Sequence, residues 1–232
     1  MLSIIIPILN EEKNIKKLNA LIYLNLKNIK FEIIFVDDNS SDNSKNILKK
    51  ICKQFKYTNY IIRKNKIKDL SQSCFAGIIK SKYKNILIMD GDLQHHPKYI
   101  IKMLKIFNKK KLDIIIGARN FNKKNNEISI IRNTASIILK KVISIFLGSK
   151  TLDPMSGFFI FKKEIYYKNK IRLFGKGYKI LCDFLYSSKK NLIIEDYFIH
   201  LNSRKEGYSK MNFNVLWNII LFTLFKFYKK FS

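Results

Sequence analysis

Asn85-Ile86-Leu87-Ile88-Met89-Asp90-Gly91-Asp92-Leu93-Gln94 is a short apolar run that stops abruptly at a turn holding two carboxylates. A brief, unbroken apolar run of this kind reads as a strand covered on both faces, which is the environment of a parallel sheet packed between helices. The same grammar recurs on either side of it. Ser3–Ile8 is an apolar run closed by Pro7 and Asn10, and Glu32–Val36 runs into Asp37-Asp38-Asn39-Ser40-Ser41. Asn59–Ile62 and Asp113–Gly117 supply further strands. Between them the spacing turns helical. Glu11–Leu26 places Ile15, Leu18, Ile22 and Leu26 on one face. Asn43–Phe55 has Ser41 or Asp42 available as a cap, Ser71–Lys80 follows, and Pro97–Asn108 carries its proline near the first turn. Strands alternating with helices predict an α/β fold of βαβ units, a Rossmann-like, mainly parallel sheet flanked by helices. In such sheets ligands bind beyond the carboxyl ends of the strands, where these polar turns fall.

The second half changes character. Ile128–Leu147 reads as a long helix with Lys140-Lys141 in its middle, and Asp153–Lys163 holds a turn and a strand at Phe158–Phe161. Gly177–Ser187 reads as a helix and Leu192–Ile199 as a last strand. Phe213–Tyr228 is strongly apolar and runs into Lys229-Lys230-Phe231-Ser232. With no internal repeat or Pro/Gly/Ser linker, residues 1–212 are expected to form one domain and residues 213–232 a C-terminal appendage. Asn214, Asn218 and Lys226 interrupt the appendage, which falls short of the ~20 apolar residues a membrane span needs. Its Trp217, phenylalanines and terminal lysines suit a helix lying in a membrane interface, as does Ile128–Leu147; packing on the domain core is the alternative for both.

At 232 residues and 47% hydrophobic the chain can bury a sizeable core. Its 45 Lys and Arg against 17 Asp and Glu give a net charge of +28, a field that favours phosphorylated substrates, anionic lipid or nucleic acid. Drift toward lysine on solvated faces accounts for part of it. Nucleic acid is not expected as a partner, because the aromatics lie within apolar strands and helices and no nucleic-acid motif is present. Arginine is scarce: Arg63, Arg119, Arg132, Arg172 and Arg204. Where lysine is the default, an arginine marks a place that needs a planar fork, such as a phosphate site. Cys52, Cys74 and Cys182 show no metal-ligand spacing and suit a reducing cytosol. The first residues lack a basic leader and run at once into a strand, so no signal peptide is read there.

Two carboxylates at i and i+2, on the loop leaving a strand, can converge on one hard cation. Mg²⁺ or Mn²⁺ suits such a site, completed by substrate phosphates. Asp90 and Asp92 form that pair. Asp37-Asp38 is placed to accept hydrogen bonds from a nucleobase or ribose, and Glu11 joins it if the first two strands are neighbours. His95-His96 could in principle bind a transition metal, but adjacent side chains on an extended segment point apart.

In order and spacing, Ile6-Pro7-Ile8-Leu9-Asn10-Glu11, Val36-Asp37-Asp38-Asn39-Ser40-Ser41-Asp42 and Met89-Asp90-Gly91-Asp92-Leu93-Gln94-His95-His96-Pro97 resemble the family 2 glycosyltransferases. The chain looks most like their dolichol-phosphate mannosyltransferase branch. Further matches are Arg63-Lys64 with Lys68-Asp69-Leu70-Ser71, Gly117-Ala118-Arg119, Arg132-Asn133, Asp153-Pro154-Met155-Ser156-Gly157-Phe158 and Arg204-Lys205-Glu206-Gly207-Tyr208-Ser209-Lys210, so that residues 3–212 are covered. Gly91 stands where the family often has Ala, and His95-His96-Pro97 replaces His-Pro-Pro; neither removes a ligand oxygen.

The resemblance implies a GT-A fold with membrane-facing amphipathic helices, and transfer of a sugar, mannose first among them, from a GDP- or UDP-sugar to a polyprenyl (dolichyl-type) phosphate. It implies that Pro7, Asn10, Glu11, Asp37, Asp38 and Asp90 line the nucleotide-sugar pocket and that Asp90, Asp92 and Gln94 hold Mg²⁺ or Mn²⁺ with the donor diphosphate. Arg119, Arg132, Arg204, Ser209 and Lys210 then surround the phosphates, with Asp92 and the three arginines the catalytic set. A phosphate monoester, largely dianionic with a second pKa of about 6, attacks without a general base. Single displacement with inversion is therefore expected, at the cytoplasmic face of a membrane. The chain is expected to bind there peripherally or through a small membrane-anchoring partner. Two alternatives stand: a family 2 enzyme using a cell-envelope glycan hydroxyl, for which Asp153 or Asp183 would serve as base, and a non-catalytic scaffold binding sugar nucleotide or lipid.

Overall fold

In β1 (Leu2–Ile8) every residue is buried, and successive side chains enter different cores. Leu2, Ile4, Ile6 and Ile8 face one layer and Ile5 the other, as the two-residue repeat of a strand requires. The computed structural model describes residues 1–65, 67–119, 141, 143–145, 148–177, 180–188, 191–202, 221–226 and 228. In order along the chain these hold β1, α1 (Glu12–Leu26), β2 (Phe31–Asp37), α2 (Ser44–Gln54), β3 (Thr58–Ile62), α3 (Leu70–Lys80) and β4 (Asn85–Ile88). A 3₁₀ turn at Pro97–Tyr99 leads into α4 (Ile100–Lys109), followed by β5 (Ile114–Arg119), β6 (Phe159–Lys162) and α5 (Lys163–Asn169). A second 3₁₀ turn at Lys170–Arg172, α6 (Ile180–Ser187) and β7 (Ile194–Ile199) complete the order.

The seven-stranded sheet has the order β3-β2-β1-β4-β6-β5-β7. β1 to β4 are parallel, β7 is parallel to β5, and β6 alone runs against its neighbours β4 and β5. The α/β, mainly parallel expectation is met. α1, α2 and α4 cover one face of the sheet through Leu18, Ile22, Leu48, Ile100 and Met103. α3, α5 and α6 cover the other through Cys74, Ile78, Ile165, Leu181 and Phe184. α5 and the turn after it lie in a stretch the sequence pattern left unassigned. The N-cap of α2 is Asn43 rather than the expected Ser41 or Asp42, but Asp42 still serves two helix starts: its Oδ1 accepts from Ser44 N–H (3.0 Å) and its Oδ2 from Glu12 N–H (3.0 Å).

Most of the expected helix at 128–147 lies outside the described residues, though 143–145 are helical. Of the C-terminal appendage, residues 221–226 are helical and rest on the second layer. Phe222 is fully buried beside Cys182 and Ile143, and Phe174 meets the rings of Phe222 and Phe225 at 5.8 and 5.3 Å. Lys226 is also buried: its Nζ lies 2.7 Å from Asp183 Oδ1 and donates to Arg172 O at 2.9 Å. Asp183 accepts in addition from Phe174 N–H and Gly175 N–H. Among the described residues, no helix is long and apolar enough to cross a membrane.

Removing one partner of a buried ion pair strands the other's charge, which costs about 3 kcal/mol or more. Lys226→Ala is therefore expected to lower stability by about 3 kcal/mol in urea unfolding. It should cost much less on an Asp183→Asn background; an equal loss in both backgrounds would show that the two groups do not interact.

Candidate active site

The parallel register brings three polar turns to one edge of the sheet. Ile8 pairs with Asp37 across β1 and β2, and Ile5 pairs with Ile88 across β1 and β4, so the turns after β1, β2 and β4 emerge side by side. The first two are tied together by short polar side chains. Asn10 has a positive φ of 56°, as Asn tolerates; its N–H donates to Ser40 Oγ (2.9 Å) and its Oδ1 accepts from Ser41 N–H (2.8 Å). Asp37, 1% exposed, accepts from Ser40 N–H at 2.9 Å and so closes its own turn. Glu11 accepts from Asn14 Nδ2 at 2.8 Å, and its N–H donates to Ser44 Oγ at 3.3 Å. Pro7 is buried opposite Val36.

Asp38 is the centre of a second network. Its Oδ1 accepts from Arg63 Nη1 and its Oδ2 from Asp69 N–H. Arg63 donates further to Asp69 O (3.0 Å) and Ser73 Oγ (3.1 Å). Asp69 caps α3 by accepting from Gln72 N–H (3.0 Å) and also accepts from Gly177 N–H (2.8 Å), drawing the 173–177 segment onto this edge. Burial lifts the Asp38 carboxyl above its ordinary range, against the Asp69 N–H and the Arg63 charge, which hold it down.

The Asp90-Gly91-Asp92 turn sits under the start of β6. The antiparallel pairing of Ile88 with Phe159 sets Gly157 against Asp90, so close that a Cβ on Gly157 would lie 2.3 Å from Asp90 Oδ2. A Cβ on Gly91 would lie 2.8 Å from a methyl of Ile8; here Gly in place of the more usual Ala lets the turn lie against β1. Asp90 keeps 37% of its side chain exposed, while Asp92 is 7% exposed and accepts from Gln94 N–H at 3.1 Å. Leu93 between them has a φ of 63°, uncommon for a bulky residue. The turn is gripped from the far side of the sheet: Asn202, just past β7, donates through its N–H to Gln94 O (3.0 Å) and through its Nδ2 to Leu93 O (3.3 Å).

His95 lies beneath, 6% exposed and stacked on Phe158 at 5.2 Å. Burial pushes its pKa down to about 4 despite the raising influence of Asp92 and Asp153, so the ring is neutral at pH 7. Its Nδ1 is buried with no hydrogen-bond partner among the described residues, 3.8 Å from Asp90 Oδ2.

The donor set of Asp90 and Asp92 is all oxygen and partly open, which fits a hard divalent cation. Among the described residues, no group of three His, Cys, Asp or Glu side chains gathers into a metal site, so such a cation would need substrate oxygens to complete its shell.

Arg119, at the end of β5, has its fork on a protein carboxylate: Nε and Nη2 each donate at 2.7 Å to Asp153, which is 1% exposed. Burial opposes the charge, but the two bonds to Asp153 and the charges of Asp153 and Asp90 outweigh it and raise the pKa. The expected phosphate ligands Arg132, Arg204, Ser209 and Lys210 lie outside the described residues. The sequence did not reveal the grip of Asn202 on the Asp92–Gln94 turn, nor the close approach of Gly157 to Asp90. Neither the cap that Asp69 places on α3 nor its N–H bond to Asp38 was read from the sequence.

The sequence pattern described as "Glycosyl transferase family 2" matches residues 3–169. This chain belongs to that family. A dolichol-phosphate mannosyltransferase of Pyrococcus furiosus is 32% identical over 216 residues, 90% of this chain and 58% of the relative. The chain thus spans well under two thirds of that relative's length. A protein of the same name from Mycosarcoma maydis is 27% identical over 207 residues, 84% of this chain and 67% of the relative. Among solved structures, glucosyl-3-phosphoglycerate synthase from Mycobacterium tuberculosis, in complex with Mn²⁺, UDP and glucosyl-3-phosphoglycerate, matches with a TM-score of 0.72 at 14% identity, over 98% of this chain and 79% of its own. At that identity the likeness shows the shared GT-A-type fold.

Gly157→Ala is expected to displace the Asp90 carboxylate. Because a displacement of about 1 Å at a reacting centre costs on the order of 10²-fold, kcat for sugar transfer should fall by about that factor with circular dichroism unchanged.

Proposed function

We propose that this family 2 glycosyltransferase moves a sugar, with mannose the first to test, from a GDP- or UDP-sugar to a polyprenyl (dolichyl-type) phosphate at the cytoplasmic face of a membrane. The observation that carries this reading is the carboxylate pair Asp90 and Asp92, held at the same sheet edge as the Asp37–Asp38 turn. The dolichol-phosphate mannosyltransferases among its relatives support the lipid acceptor.

In this reading Pro7, Asn10, Glu11, Asp37 and Asp38 shape the donor's nucleotide pocket. Asp90, Asp92 and Gln94 hold Mg²⁺ or Mn²⁺, which when bound neutralises the donor diphosphate. Arg119, kept cationic and in place by Asp153, adds positive field over Asp90; Arg132, Arg204, Ser209 and Lys210 are assigned to the donor and acceptor phosphates. An oxygen of the acceptor phosphate forms the new bond to the anomeric carbon, and the bond from that carbon to the nucleoside diphosphate breaks, its electron pair leaving on the diphosphate oxygen. No proton needs removal, since the attacking group is already anionic.

The carboxylates considered as general bases for a hydroxyl acceptor are otherwise engaged. Asp153 holds Arg119, and Asp183 holds Lys226 with two backbone N–H groups. That favours the phosphate over the glycan-hydroxyl reading. Residues 1–212 are assigned to catalysis and 213–232 to membrane association, with the exposed Leu221, Leu224 and Tyr228 in support.

The test is transfer of label from GDP- and UDP-sugars to a polyprenyl phosphate pool in detergent. Asp92→Asn is expected to lower turnover about 10²–10³-fold. Chelation should abolish transfer, and Mg²⁺ or Mn²⁺ should restore it. A product that keeps the donor's anomeric configuration would rule out single displacement.

A further inference from the structure

Two exposed isoleucines stand out among the described residues. Ile67, on the loop between β3 and α3, is 82% exposed, and Ile171, in the 3₁₀ turn after α5, is 96% exposed. Each sits between two cations in the sequence: Lys66-Ile67-Lys68 and Lys170-Ile171-Arg172. A single exposed apolar residue is ordinary. These two are on one edge of the molecule. Their loops border the same cleft of about 460 Å³, with Asn65 on one side, Lys170 on the other and Phe75, Ile79 and Leu173 between.

Hydrogen bonds fix the two loops to each other. Gln72 Nε2 donates to Gly175 O at 2.6 Å and Gly177 N–H to Asp69 Oδ2 at 2.8 Å, while the Asp69 N–H reaches Asp38. The edge is therefore continuous with the donor side of the site. A third apolar element adjoins it. Lys226 Nζ holds Arg172 O at 2.9 Å, and Leu221, Leu224 and Tyr228, spaced i, i+3 and i+7 on the same helix, are exposed while Phe222 and Lys226 are buried.

We propose that this edge is the docking surface for an anionic phospholipid bilayer. Ile67, Ile171 and the Leu221–Leu224–Tyr228 stripe enter the acyl boundary, and Lys68, Lys170 and Arg172 meet headgroup phosphates. Apolar tips set between long cationic side chains suit both layers of an interface at once, and the net charge of +28 complements an anionic leaflet. The proposal deepens the reading above and rests on it for the lipid acceptor.

The test is flotation with phosphatidylcholine vesicles, with and without phosphatidylglycerol, using the full chain. The parent protein is expected to float with the anionic vesicles. Ile67→Asn/Ile171→Asn, which keeps the charge and alters only solvent-exposed positions, should lose about tenfold or more of that partition. Leu24→Asn, at a 63% exposed position of α1 on the opposite layer, should not. Transfer to acceptor in detergent should be equal in all three. A double variant that floats like the parent, a parent that does not float, or equal flotation without phosphatidylglycerol would overturn the surface. A parent that floats but transfers no sugar in detergent would overturn the reaction and leave the surface standing.

Discussion

The reversal of β6 between β4 and β5 is the constraint on which the site depends. Parallel strands alone deliver their loops to one edge, and β1, β2 and β4 do so. An antiparallel strand brings its amino-terminal end to that edge instead, and β6 thereby lays Ser156-Gly157-Phe158 across the Asp90 turn. Ser156 Oγ donates to Gly117 O at 2.7 Å, and Gly117 N–H donates to Phe158 O at 2.8 Å, so the crossing segment is stitched to β5 as well. The same pairing places Asp153 where Arg119 leaves the sheet. Asp90, Gly157, Asp153 and Arg119 are thus positioned by one piece of register, and a slip by one residue would turn every one of them away.

Around that crossing, charge is handled in pairs rather than singly. Asp38 has Arg63, Asp153 has Arg119 and Asp183 has Lys226. In a chain so rich in lysine, two of the three pairs use arginine, whose fork serves several acceptors at once: Arg63 reaches Asp38, Asp69 and Ser73. Asp90 keeps 37% of its side chain exposed at the edge, and its charge acts on Arg119. The outcome is an edge whose supporting charges are held within the fold while Asp90 keeps part of its side chain at the surface.

Much of this was legible in the sequence, for reasons that can be named. β1, β2 and β4 are short and mostly apolar because both faces are covered, so they stand out from their polar turns. The helices of the first half carry clear apolar stripes. α5 did not stand out, because seven residues give less than two turns of pattern and Lys163–Asn169 mixes charged and aromatic side chains. The family resemblance implied Arg119 as a phosphate ligand; its buried partner lies 34 residues away, and sequence spacing carries no trace of such a pairing. The grip of Asn202 on the Asp92 loop is hidden for the same reason, since it joins positions more than a hundred residues apart.

Leu93 offers a last consequence. A leucine held at positive φ keeps its backbone in a costly conformation, and such strain persists only where surrounding contacts over-determine it. Here the contacts are the two hydrogen bonds from Asn202 and the bond from Gln94 N–H to Asp92. The distortion is met once, when the chain folds, and not again at each catalytic cycle. A loop shaped in advance loses little conformational entropy on meeting whatever it binds, at the expense of thermal stability. The turn works as a preloaded jig: stiff, slightly unfavourable by itself, and ready before the substrate comes.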